Sequence, residues 1–68
     1  MTNLYKMTLD GHHVEYWYDP SVRSWCVQEV DAAGYQLGAA DYVYTRAEVP
    51  AAARGVIDAN DKPNGDIL

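Results

Sequence analysis

Two runs of alternating residues open the chain, with a two-residue break between them. Leu4-Tyr5-Lys6-Met7-Thr8-Leu9 precedes Asp10-Gly11, and His12-His13-Val14-Glu15-Tyr16-Trp17-Tyr18 follows it. Alternation with a period of two predicts strands that present one face to a core and one to water. Asp-Gly between such runs predicts a tight hairpin, because both turn residues must tolerate positive φ. The turn sets a register with Leu9 opposite His12, Met7 opposite Val14, Lys6 opposite Glu15 and Tyr5 opposite Tyr16. Tyr5, Met7, Leu9, Val14 and Tyr16 then share one face.

Asp19-Pro20-Ser21-Val22 predicts the next turn, with Pro in the second position. If these four residues form the loop, Tyr18 faces Arg23, Tyr16 faces Trp25 and Val14 faces Val27, so Trp25 and Val27 join the apolar face. The third strand, about residues 23–30, ends at Asp31-Ala32-Ala33-Gly34. A fourth is expected over about 35–44. Gly38 marks a candidate bulge there, and the register on either side of it is left open.

The period then changes. Val49, Ala52, Ala53, Val56 and Ile57 recur at helical spacing and form one apolar stripe. Thr45-Arg46-Ala47-Glu48 fits a capping box. Pro50 allows a second reading, in which the helix begins near Glu48 with Pro50 in its first turn. Asn60 is expected to end the helix. The stripe should cover the face of Tyr5, Met7, Val14, Tyr16, Trp25 and Val27. The predicted fold is therefore α+β: a single antiparallel sheet of about four strands, β-β-β-β-α, with one short helix on one face. It occupies residues 1–60, and a polar, mobile tail is expected over 61–68.

A chain of 68 residues buries only about 60 % of its unfolded surface, so its stability is marginal and a partner can add to it. One Cys cannot form an internal disulfide, which suits a reducing compartment. No apolar run approaches the length of a membrane span, and no signal segment opens the chain. The expectation is a soluble, cytoplasmic protein. Ten acidic residues against five Lys and Arg leave a net charge of -5. That argues against direct nucleic-acid binding, which needs a basic footprint. It suits either solubility alone or a basic partner, including a protein site that normally holds nucleic acid.

Candidate chemistry is sparse. His12 and His13 are adjacent on a strand and point to opposite faces, so they do not share a metal, and no further His or Cys completes a set. Cys26 is expected opposite Glu15, with His13 diagonally near. A carboxylate there works against a thiolate, so the thiol reads as inert. No nucleophile–base pair stands out, no cofactor is implied, and an enzyme is not expected. The face away from the helix carries Leu4, Lys6, Thr8, His13, Glu15, Trp17, Ser24, Cys26 and Gln28. Trp17 among these polar neighbours is either a partner anchor or a single aromatic capped by Lys6 and Leu4. The acids Glu15, Glu29, Asp31, Asp41, Asp58, Asp61 and Asp66 lie along strands, turns and helix. They are either a solvated surface or an array that imitates phosphates. The candidate partner-binding set is Glu15, Trp17, Glu29, Asp31 and Asp41.

In size, charge and element order the whole chain resembles the anti-CRISPR proteins of bacteriophages and mobile elements. Some of these are small acidic domains with an antiparallel sheet and a short helix that mimic DNA on a CRISPR surveillance complex. The resemblance implies an inhibitor acting in a bacterial cytoplasm on a Lys/Arg-lined DNA-binding surface, engaged by residues such as Glu29, Asp31 and Asp41. A shorter stretch, Gly34-Tyr35-Gln36-Leu37-Gly38, then Thr45-Arg46-Ala47-Glu48 and an Ala-rich helix, is similar to the HicB-like antitoxin pattern. It departs from that pattern at Pro50 and has no DNA-binding segment after the helix. That resemblance implies a small toxin nuclease as partner.

Overall fold

The computed structural model describes residues 3–61. Four strands, β1 (Tyr5–Leu9), β2 (His12–Asp19), β3 (Ser24–Val30) and β4 (Gln36–Val43), form one antiparallel sheet in chain order. One helix, α1 (Val49–Asp61), follows and packs on one face. This is the α+β architecture that the alternation predicts.

The first hairpin follows the Asp-Gly signal residue for residue. Asp10 and Gly11 sit at φ 49° and 82°, and Leu9–His12, Met7–Val14, Lys6–Glu15 and Tyr5–Tyr16 are paired. Both turn residues occupy the left-handed region that matches the twist of the strands.

The second hairpin differs from expectation by two residues. Tyr16 lies opposite Val27, Tyr18 opposite Trp25 and Val14 opposite Glu29, where Trp25, Arg23 and Val27 were expected. The expected turn itself is present: the Val22 N–H donates to the Asp19 carbonyl (3.3 Å), with Pro20 in the second position, and the Asp19 carboxylate accepts from the Ser21 N–H (3.0 Å) and hydroxyl (2.6 Å). A second, overlapping turn, from the Arg23 N–H to the Pro20 carbonyl (3.4 Å), carries the loop one residue further, so that Asp19 pairs with Ser24. The loop is then Pro20 to Arg23, with Arg23 at φ 51°. A slip of two preserves the facing of every side chain, so Trp25 and Val27 still join the apolar face. Glu29 lies on that face in either register, and the slip sets it opposite Val14.

In the third pair, Val27 opposes Asp41 and Glu29 opposes Leu37, so a bulge on β4 lies between them, with Gly38 at φ 70°. The bulge expected at Gly38 is present. Both readings of the helix start are partly realised. Thr45 leads a short 3₁₀ turn over Arg46–Glu48, where the Glu48 carboxylate accepts from the Thr45 N–H (3.0 Å) and hydroxyl (2.8 Å). Pro50 is the second residue of α1, where its missing N–H has no intrahelical partner to lose.

The core comprises Val14, Tyr16 and Val27 from the sheet and Val49, Ala52, Ala53 and Ile57 from the helix, ringed by Tyr5, Met7, Leu9, Trp25 and Val43. At the start of α1 the aromatic rings pack together, with Tyr5 stacked on Tyr16 at 5.4 Å and Trp25 6.2 Å from both. The Arg46 guanidinium lies 4.6 Å above Tyr5 and 5.8 Å from Trp25. The helix does not stop at Asn60 but includes Asp61, the first residue of the expected tail. The rest of that tail, 62–68, lies outside the described residues.

Candidate partner-binding face

Among the described residues one helix covers one face of the sheet and no element covers the other. Across the open face Trp17, Cys26 and Tyr42 lie side by side on β2, β3 and β4, with Lys6, Glu15 and Gln28 in the neighbouring row. Trp17 is half-buried, so it is neither free in solvent nor sealed in a core. Leu4 and Tyr42 are more than half exposed, at 52 % and 55 %. Together these side chains form an apolar band beside a polar one.

Cys26 lies opposite Trp17, not Glu15, because of the two-residue slip. It is 3 % exposed even though no described element covers its face. Burial pushes its thiol up, against the pull of the Tyr42 hydroxyl and with a push from Asp19. The reading of an inert thiol follows for a different reason from the one expected: desolvation by its neighbours, not a facing carboxylate.

The five residues expected to meet a partner do not form one cluster. Glu15 and Trp17 lie on the open face. Asp31 stands at its end, beside a hollow of about 420 Å³ that Lys6, Thr8, His13 and Glu15 also line. Its carboxylate also organises the turn, accepting from the Ala33 and Tyr35 N–H groups, each at 2.9 Å. Asp41 is exposed on β4 but pairs with Val27, on the helix side. Glu29 is corrected outright as a surface acid. It is 5 % exposed and faces the helix.

Glu29 belongs instead to a polar clasp that sequence reasoning missed. One carboxylate oxygen, Oε2, lies 2.7 Å from His12 Nδ1, and the other, Oε1, accepts from Asn60 Nδ2 at 2.8 Å. Asn60 also donates to the Leu37 carbonyl at 2.8 Å. Its side chain lies where a Cβ on residue 38 would be, so the Gly38 bulge admits it to β4. Burial pushes the Glu29 carboxyl up, but the bonds from Asn60 and His12 prevail and hold it below its ordinary value. The bond to Glu29 raises His12 despite partial desolvation, and the charges of Glu29, Asp61 and Asp10 add to the rise. One signal for Asn60 was legible: it continues the helical stripe three residues after Ile57 and four after Val56.

Among the described residues no group of three or more His, Cys, Asp or Glu side chains is placed to hold a metal ion. No helix among them is long and apolar enough to cross a membrane. No protein-family profile matches the chain, and neither a curated protein nor a solved structure matches it.

Proposed function

We propose that the protein is a small acidic binding module that inhibits a larger protein by occupying a basic, nucleic-acid-binding surface, as an anti-CRISPR does on a CRISPR surveillance complex. The observation that carries this reading is the open sheet face, with half-buried Trp17 beside Glu15. The charge balance supports a basic partner. Two of the four described Lys and Arg side chains are engaged within the fold: Arg46 lies over the aromatic cluster and Arg54 is 3.5 Å from Asp10. Trp17 supplies an anchor of the kind enriched at interface hot spots, and the surrounding carboxylates supply steering.

The test is a DNA-competition assay with a purified CRISPR surveillance complex. The wild type is compared with a combined Glu15→Lys, Asp31→Asn, Asp41→Lys variant. Asn at position 31 retains the oxygen that caps the turn. The reading expects the wild type to displace DNA with a steep loss at higher salt, since exposed charges are screened within about 10 Å at 0.1 M. The variant should fold normally and fail to compete. Equal inhibition by both proteins, or simultaneous binding of DNA and the wild type, contradicts it. Neutralisation of a small toxin nuclease would instead move the protein to the antitoxin class.

A further inference from the structure

The last turn of α1 is held to the sheet differently from the rest of the helix. Val49, Ala52 and Ala53 are sealed against the sheet, at 1 %, 8 % and 0 % exposure. Beyond Ile57 the helix is joined to the first hairpin across a hollow of about 300 Å³, lined by Leu9, Asp10, His12, Arg54, Ile57 and Asp61. The ties beside and across that hollow are ionisable. His12 Nδ1 is 2.7 Å from Glu29, His12 Nε2 is 3.8 Å from Asp61, and Arg54 is 3.5 Å from Asp10.

We propose that this last turn, Asp58 to Asp61, is a proton-operated latch: it is closed on the sheet while His12 is protonated and opens when His12 is neutral. The carboxylates of Glu29, Asp61 and Asp10 all favour the protonated ring, against its partial desolvation. Glu29 faces it from β3, Asp10 from the hairpin turn, and Asp61 from α1, with Asp58 on the same hollow. Among the described residues Arg54 is the other cation on this hollow, and it is engaged with Asp10.

A protonated imidazole donates from both nitrogens, toward Glu29 and toward Asp61. A neutral one donates from only one. If the proton stays on Nδ1, the Nε2 lone pair points toward the Asp61 carboxylate. If it stays on Nε2, Glu29 loses its closest partner. In either tautomer a nearly buried Glu29 carboxylate is left without a countercharge, which is costly in a desolvated site. Release of Asn60 from Glu29 and Leu37 admits water to that carboxylate and separates Asp61 from Asp10. The helix upstream stays in place because its contacts are apolar and indifferent to pH. The latch responds above the ordinary imidazole value of 6.5, because the carboxylates around His12 raise it.

The experiment is an NMR titration of the full chain from pH 5.5 to 8.5. It follows the His12 ring signals, the Asn60 side-chain amide and the hydrogen-exchange protection of each helical amide, corrected for intrinsic rates. Protection over 58–61 should fall roughly fivefold, the difference between a charge-assisted and a neutral hydrogen bond. The midpoint should coincide with the His12 titration, while Ala52 and Ala53 stay unchanged. His12→Gln should remove the pH dependence and leave the turn open throughout. Asp61→Asn, which leaves the core untouched, should lower the His12 midpoint and shrink the change. Flat protection in the wild type overturns the proposal, as does an equal loss along the whole helix. An unaltered response in Asp61→Asn does so even if His12→Gln does not fold.

Discussion

The two faces of this sheet are made by the same alternation and do opposite work. On the covered face Val14, Tyr16 and Val27 are sealed by the helix, and they account for stability. On the open face Trp17 and Tyr42 remain partly or largely in solvent, flanking a buried Cys26. Period-two patterning therefore does more than place a core. With a single helix among the described residues, it commits half of the sheet's side chains to a face that no described element covers. The contrast also exposes an exception: Glu29, a charged residue on the covered face, is retained by His12 and Asn60.

The sharpest way to break the contrast is to truncate one tryptophan on each face. Trp25→Ala removes the ring that Tyr5, Tyr16 and Tyr18 all touch, at centroid distances of 6.2, 6.2 and 5.7 Å. It should cost about 3 kcal/mol, the low end for a large aromatic because the ring is only partly buried, and leave the chain largely unfolded. Urea denaturation followed by circular dichroism measures it, and a cost under about 1 kcal/mol would remove Trp25 from the core. Trp17→Ala should cost only about 1 kcal/mol.

Next in size are the residues of the clasp. Gly38→Ala places a methyl group against the Asn60 side chain and forces φ 70° on a residue with a Cβ. It should destabilise by about 1–3 kcal/mol, and a further Asn60→Ala change on that background should add less than it does alone. Strict additivity would show that Asn60 is not what Gly38 accommodates.

A smaller effect is expected from pH. Glu29 is held below its ordinary value of 4.5, so its contribution is present above about pH 4.5 and is lost as pH falls through the lower, folded value. His12 is raised above 6.5, so its contribution is present below about pH 6.5 and is lost as pH rises through the higher, folded value. The clasp is therefore complete between those two ordinary values. Stability of the wild type should be greatest there, and Glu29→Gln should flatten the profile. A wild-type maximum above pH 8 contradicts the assignment. Smallest is Arg46→Ala, about 0.5–1 kcal/mol for the loss of an exposed cation over Tyr5.

The contrast also explains what was legible in the sequence. Asp10-Gly11 specified its hairpin fully because the turn type admits one register. Asp19-Pro20-Ser21-Val22 identified its turn but not the strand register beyond it, because an overlapping turn that ends at Arg23 carries the loop one residue further. Facing survived the error, since a slip of two leaves parity intact, and so the apolar core was read correctly. Identity within a face did not survive. Glu29 was taken for a surface acid although its alternation with Trp25 and Val27 already put it on the covered face, and its partner there, Asn60, is 31 residues away. Long-range polar pairing leaves no period in a sequence. Of the proposed partner contacts, Glu15 and Trp17 were legible from alternation alone.

The account stands most directly on whether stability and binding are separable by face. The decisive measurement pairs the urea midpoint of Trp17→Ala with its ability to displace DNA from the CRISPR surveillance complex. The expected result is a folded protein within about 1 kcal/mol of the wild type that no longer competes with DNA. A variant that competes as well as the wild type, or one that unfolds as Trp25→Ala does, contradicts the assignment of the open face to a partner.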